Sequence, residues 1–364
     1  MTERPRTSTR DFHTLHDGLE AWLGARSPGA RISDLTIPES TGMSSETVVF
    51  DVHAPDGPPV PCVARMAPDQ QAVPVFPSYD LPAQARAMEL VGCHTDVPVP
   101  PVLWREESPE PLGSPFFVMA RIDGVVPPDL PPYTFGGNWL SDAPAEHRRR
   151  VEEGAVDVLA GIHSIDSALV PDDFWPAPGR DPTEQLRRHL AGQGRYYEWA
   201  RDTGFASPLV ERTLVWLEGH VPTTTEAPTL SWGDARLGNI LFHDFSPVAV
   251  LDWEMVAAGP RELDLGWLIM QHCFFQDLAT TFDLPGLPDF LTRRFVVDRY
   301  ERLTGYQPRD LDWFMLYASM RFAIIYLRVA QRQLAFGELE MPDDPDDVLL
   351  HRAQLEAMLA GTYW

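Results

Sequence analysis

The stretch that most limits how this 364-residue chain can fold runs from Ser231 to Glu254 and reads SWGDARLGNILFHDFSPVAVLDWE. Residues 240–243 and 248–252 read as two short strands joined by a turn, which predicts a β-hairpin. A hairpin that begins just after Asn239 and ends at Asp252 sets an amide oxygen and a carboxylate side by side. Two hard oxygen donors at one point suit Mg²⁺, which keeps several waters and completes its shell with substrate phosphates. Asp234, one loop turn before Asn239, is then placed to accept or orient the proton of a hydroxyl nucleophile.

Around this stretch the chain changes character. Phe12, Leu15, Leu19, Trp22 and Leu23 fall at helical spacing and stop near Gly24 and Pro28. Residues 31–37, 47–53 and 60–66 read as strands, with Asp56-Gly57-Pro58 turning between the last two. A helix over 81–91 ends before the Val-Pro-Val-Pro run at 97–100, and 116–122 reads as a buried strand ending at Asp123-Gly124. From there helical periodicity dominates, over 145–165, 183–200, 208–218, 262–275, 289–303 and 309–336. The expected organisation is an N-terminal helix (1–27), a β-rich lobe (28–122) and a larger helical lobe (123–364), an α+β class.

Composition removes several alternatives. Lysine plus arginine is 29 against 53 acidic residues, a net charge of −24. Such a surface disfavours nucleic acid and anionic membranes, which call for clustered positive charge. All of the basic residues are arginine, so chemistry that needs a Schiff-base or phosphate-loop lysine is excluded. Cys62, Cys93 and Cys273 are odd in number, far apart and not in zinc-finger spacing. With no apolar run close to the roughly 20 residues that span a bilayer, the expectation is a cytoplasmic protein in a reducing compartment.

Gly233 before Asp234, the Asp-x4-Asn spacing, the hairpin, Asp252-Trp253-Glu254 and then Asp264-Leu265 opening a helix follow one another in a familiar order. In these residues the chain resembles the aminoglycoside phosphotransferase and choline-kinase-like group of small-molecule phosphotransferases, whose usual pattern is His-Gly-Asp-x4-Asn, a hairpin and Asp. The resemblance extends over about residues 28–340 and is specific mainly at 231–267. It implies a bilobal, protein-kinase-like fold that moves the γ-phosphate of ATP or GTP to a hydroxyl of a small molecule, with Mg²⁺ as cofactor. Asp234 would be the catalytic carboxylate and Asn239 and Asp252 the metal ligands. Arg236 would sit either near the transferred phosphate or in a salt bridge to a neighbouring carboxylate.

The same resemblance assigns the nucleotide-binding residues. Arg65 stands on the strand where kinases place the lysine that holds the α- and β-phosphates, unless it is an ordinary solvated strand charge. Gln84 takes the position of that lysine's usual Glu partner; Glu89, five residues on, points elsewhere. The phosphate-covering loop falls at residues 39–47, with Gly42, Ser44 and Ser45 as candidate contacts, although a plain turn would read the same way. Met119 and Arg121 end the strand whose main chain pairs with the adenine edge. His163 is expected as a satisfied core or capping histidine, Glu254 as a hydrogen-bonding neighbour of the metal ligands, and Asp264 as the group that holds the catalytic loop through backbone N–H groups.

Trp232 replaces the family's histidine, and with Arg65 and Gln84 it makes a trio of departures. They support an alternative, a nucleotide-binding pseudokinase or regulatory protein without turnover. The acceptor is open: family substrates range over aminoglycosides, macrolides, choline, amino sugars and hydroxyacyl thioesters. Trp139, Tyr196, Tyr197, Trp199, Phe274 and Phe275 either line its site or fill the core.

Overall fold

The computed structural model describes residues 11–37, 45–55, 57–68, 73–176, 178–223 and 226–364. The expected loop contacts Gly42 and Ser44 lie outside the described residues. Two compact units divide the chain. Unit 1 takes the chain up to Glu89, then Pro100–Arg121 and Leu327–Asp343; unit 2 takes Leu90–Val99, Ile122–Tyr326 and Asp344–Trp364.

Unit 1 is built on an antiparallel sheet of β1 (Arg31–Thr36), β2 (Glu46–His53), β3 (Val60–Met66), β4 (Val102–Glu106) and β5 (Phe116–Ala120), in the order β1-β2-β3-β5-β4. Helix α1 (Phe12–Arg26) begins at Asp11, whose carboxylate accepts the N–H of Thr14 at 2.9 Å. The helical spacing read in the sequence puts Leu15, Leu19, Trp22 and Leu23 on one buried stripe. That stripe meets Ile32, Val48, Phe50, Val52, Cys62, Ala64, Met66 and Val118 in one core, so the N-terminal helix belongs to the sheet it precedes. Each large aliphatic side chain buried there contributes about 1.5–3 kcal/mol. Helix α2 (Leu81–His94) follows β3 in sequence.

Unit 2 carries helices α3 (Ala145–Ile162), α4 (Pro182–Asp202), α5 (Pro208–Gly219), α6 (Glu262–Thr281), α7 (Arg293–Thr304) and α9 (Arg352–Leu359); α8 (Leu311–Ala335) contributes to both units. Among them sit two antiparallel pairs, β6 (Thr229–Ser231) with β9 (Ala257–Gly259), and β7 (Ile240–His243) with β8 (Ser246–Val250). The hairpin lies where the sequence put it, but β8 ends at Val250 and Asp252 lies beyond it, in the left-handed region at φ 59°. The three-residue strands β6 and β9 escaped the sequence because so short a run carries no periodicity.

Helix α8 holds the most apolar helical stretch among the described residues. Although no unbroken apolar run reaches membrane length, this helix is long and apolar enough overall to cross a bilayer, yet 78% of its most apolar window is buried inside the protein. It is a core helix. Arg328, which interrupts the apolar run, is itself buried and donates from Nη2 to the carbonyl of Pro74 at 2.7 Å.

Candidate active site

The catalytic-loop region of unit 2 is organised around one carboxylate, Asp264, in the first turn of α6. It is fully buried and accepts four hydrogen bonds: from Ser231 Oγ at 2.8 Å, the N–H groups of Trp232 and Gly233 at 2.8 Å each, and His163 Nε2 at 3.0 Å. Burial pushes its carboxyl up, but the bonds from His163, Gly233 and Ser231 outweigh that and hold it below the ordinary 3.8. His163 caps α3 and is buried, with Nδ1 on the Tyr300 hydroxyl at 2.8 Å, so the core and capping role expected of it is the one it has. At Gly233 the φ is +91°, and a Cβ would stand 2.1 Å from the carbonyl oxygen of Met255. Only glycine lets the loop turn here.

Asp234 follows directly. It is 8% exposed, and both carboxylate oxygens are held. The Trp267 indole donates to Oδ1 at 2.8 Å, and Asn239 Nδ2 and Arg236 Nε donate to Oδ2 at 2.6 and 3.2 Å. Asn239 gives its amide nitrogen also to the Asp234 carbonyl at 3.1 Å, so its amide oxygen remains as the acceptor. The ladder of the hairpin continues one step past β8, with Leu251 N–H on the Asn239 carbonyl at 2.8 Å. This sets Leu251 opposite Asn239, with Asp252 one residue further along the chain.

Arg236 takes the salt-bridge alternative. Besides Asp234 it holds Asp129, Nη1 to Oδ2 at 2.5 Å, so its cation is tied between two carboxylates. Burial works against its charge, but Asp129 and Asp234, with Asp252 nearby, hold its proton more firmly than in an ordinary arginine. Asp129 was missed by sequence reasoning: it lies 107 residues before Arg236, in a proline-rich segment without a motif. The other oxygen, Oδ1, is buried with no partner among the described residues. Gly238 makes room for the pair, since a Cβ there would fall 2.4 Å from Arg236 Nη1 and 2.9 Å from Asp129 Oδ1.

Trp232, which stands in place of the family's histidine, is 1% exposed, and its indole donates to the Leu251 carbonyl at 2.9 Å. Glu254 is half-buried. Of the aromatic candidates, Tyr196, Tyr197, Phe274 and Phe275 are buried in the core, while Trp139 and Trp199 are half-exposed.

In unit 1, Arg65 is 9% exposed, faces Thr47 and Phe117 across the sheet and donates to Thr47 Oγ1 at 3.4 Å. A solvated strand charge is therefore not what it is. Gln84 and Ser45 are buried, and Gln84 Nε2 and Ser45 Oγ have no hydrogen-bond partner among the described residues. Glu89 pairs with Arg105 and so takes no part beside Arg65. Met119 lies in β5 with 8% exposure. The N–H groups of Ala120 and Arg121 are already given to the carbonyls of Pro101 and Pro61, at 2.9 Å each, and the Arg121 side chain is 3.3 Å from Asp51.

The donor set of unit 2 fits a hard divalent cation. The Asn239 side chain and the Asp252 carboxylate, one residue past the Leu251–Asn239 hydrogen bond, are oxygen ligands of the kind Mg²⁺ selects. A buried carboxylate framework, a firmly held Asp234 and the neighbouring hairpin oxygens match the order of residues in protein-kinase-like phosphotransferases.

Residues 49–304 match the model of the phosphotransferase enzyme family, and the chain belongs to that family. Its protein-kinase-like fold is shared with an aminoglycoside phosphotransferase assigned in Ralstonia eutropha JMP134 (TM-score 0.66, 20% identity, 95% of this chain and 97% of that one). It is shared also with an aminoglycoside phosphotransferase, APH(4)-Ia, in ternary complex with AMP-PNP and hygromycin B (0.54, 18%, 94% and 98%), and with the GDP complex of aminoglycoside 2'-phosphotransferase-IIIa (0.52, 14%, 96% and 99%). Among curated proteins, mouse acyl-CoA dehydrogenase family member 10 is 26% identical over 91% of this chain, and chicken acyl-CoA dehydrogenase family member 11 is 30% identical over 65%. The chain spans about a third of the length of these relatives, 32% and 30% respectively.

Proposed function

We propose that the protein is a small-molecule kinase that transfers the γ-phosphoryl group of a nucleoside triphosphate to a hydroxyl of its acceptor. The observation that carries this reading is Asp234, a buried carboxylate fixed by Trp267, Asn239 and Arg236. A carboxylate held this firmly is fixed in position towards an acceptor hydroxyl before that hydroxyl arrives. In the reaction the bond from the γ-phosphorus to the bridging oxygen breaks, a bond from phosphorus to the acceptor oxygen forms, and the hydroxyl proton passes to Asp234. Asn239 and Asp252 would hold Mg²⁺, which offsets charge on the phosphate oxygens. Arg65 is the cation proposed for the non-transferred phosphates, a role in which its planar fork differs from lysine's point charge. Both adenine and guanine nucleotides occur in structures of the same fold, so ATP and GTP are both tested.

For the acceptor we infer a hydroxyl-bearing small molecule. Aminoglycosides are one class, by the named neighbours; hydroxyacyl thioesters are a second, favoured by relatives that are named for acyl-CoA chemistry. The test is release of ADP or GDP against a panel of both classes in Mg²⁺, with Asp234→Ala as control. Acceptor-dependent turnover that vanishes in the variant is expected. Nucleotide binding without turnover on any member, and no slow hydrolysis that depends on Asp234, would favour the pseudokinase reading.

A further inference from the structure

We propose that Trp232 and Trp253 are positioning residues for Asp252: their indole N–H groups pin the two peptide units in front of it and so fix the left-handed backbone from which its carboxylate is presented. The inference rests on the metal-ligand role given to Asp252 above and concerns how this chain, lacking the histidine expected at position 232, builds that ligand.

Asp252 is a non-glycine residue at φ 59°, a conformation uncommon for L side chains that aspartate tolerates better than most and that the surrounding bonds here select. The surroundings here are unusually complete. The Val250 N–H is on the Pro98 carbonyl at 2.8 Å, and the Val250 carbonyl receives Trp253 Nε1 at 3.1 Å. The Leu251 N–H is on the Asn239 carbonyl at 2.8 Å, and the Leu251 carbonyl receives Trp232 Nε1 at 2.9 Å. The Leu251 carbonyl belongs to the peptide plane whose rotation sets ψ of Leu251 and φ of Asp252. A donor fixed on that oxygen therefore acts directly on the torsion that is out of the ordinary.

Both indoles are fixed in turn. Each is 1% exposed, and the rings lie 6.0 Å apart, tilted at 42°. Trp232 also gives its backbone N–H to Asp264, the carboxylate that holds the loop of Asp234. One residue thus links the framework of the general base to the framework of the metal ligand, across 19 residues of sequence. Filling the core alone would be served by phenylalanine; what phenylalanine cannot supply is the N–H, and the Leu251 carbonyl would then lose its buried donor. The departure from histidine is on this account a substitute brace and not a sign of lost function.

The test separates metal binding from nucleotide binding. Mn²⁺ binding in the presence of ADP (or GDP, where guanine is preferred) is followed by electron paramagnetic resonance, and nucleotide binding in EDTA by calorimetry. Trp232→Phe is expected to raise the Mn²⁺ half-saturation about tenfold, the lower end of what partners behind a ligand contribute, with nucleotide affinity in EDTA unchanged. Combined with Asp252→Ala it should add no further shift, because it acts through Asp252. Trp253→Phe should shift the half-saturation in the same direction, and it carries the test where thermal unfolding shows that Trp232→Phe does not fold. Unchanged Mn²⁺ dependence in a folded variant, or an equal shift with and without Asp252, would overturn the proposal. Absence of nucleotide-dependent Mn²⁺ binding in the unaltered protein is a different result: it overturns the metal reading itself, and the brace with it.

Discussion

The two regions that hold the candidate residues treat their central polar groups differently, although Asp129 Oδ1 beside Arg236 is also buried without a partner among the described residues. In the catalytic loop of unit 2, Asp264 and Asp234 are buried and both oxygens of each carry hydrogen bonds from the protein itself. In unit 1, Gln84 Nε2 and Ser45 Oγ are buried without a partner among the described residues. A buried polar atom left unpaired costs about 1–3 kcal/mol, so it stands out where it occurs. The carboxylate proposed for the chemistry is held by the fold, whereas the residues proposed for the nucleotide include groups that a ligand would complete.

Mutations can break or sharpen this contrast. The largest effect is expected for Asp234→Ala, which should lower phosphoryl transfer by about a thousandfold, within the range of a lost general base, while nucleotide still binds by calorimetry. Next is Asp264→Ala. Removing the carboxylate strands the N–H groups of Trp232 and Gly233 and the His163 ring, and should destabilise by about 3–5 kcal/mol in denaturant unfolding. Since Asp264 is held below 3.8 when folded, its stabilising contribution is present above that value and is lost as pH falls through the lower, folded one.

A smaller, graded effect is expected from acid. His272 and His351, both in unit 2, are 5% and 2% exposed, and burial lowers each to about 4 from 6.5. The unfolded chain takes up those protons first, so stability is full above 6.5 and falls between 6.5 and 4, by up to about 1.4 kcal/mol per pH unit for each ring. None of the described histidines of unit 1 is buried. Hydrogen exchange against pH should therefore show unit 2 loosening over that window while unit 1 holds. The smallest stability change belongs to Gln84→Leu: removing a buried amide whose nitrogen is unpaired among the described residues should leave unfolding within about 1 kcal/mol of the unaltered protein and yet weaken nucleotide binding. A large loss of stability would show that Gln84 is structural.

The sequence made legible those parts of the site whose members lie close along the chain. Asp234, Asn239 and Asp252 fall within one loop and one hairpin, and the period-2 pattern of a hairpin is enough to bring their backbones together. The helical stripe of α1 was equally open to reading, because its apolar spacing is its burial pattern. What stayed hidden acts at a distance or through the backbone. Asp129 reaches Arg236 from 107 residues away, and the brace from Trp232 ends on a carbonyl, which has no residue type to announce it. The left-handed turn at Asp252 was invisible for a related reason: aspartate permits that conformation without requiring it, so the surrounding bonds decide.

The most direct test of the central claim is calorimetric titration of the unaltered protein with ATP and GTP, with and without Mg²⁺, alongside Asp252→Ala. The account predicts tight binding of at least one nucleotide that depends on Mg²⁺ and loses that dependence in the variant. Binding of neither nucleotide under any condition, or a Mg²⁺ dependence that survives in Asp252→Ala, would contradict it.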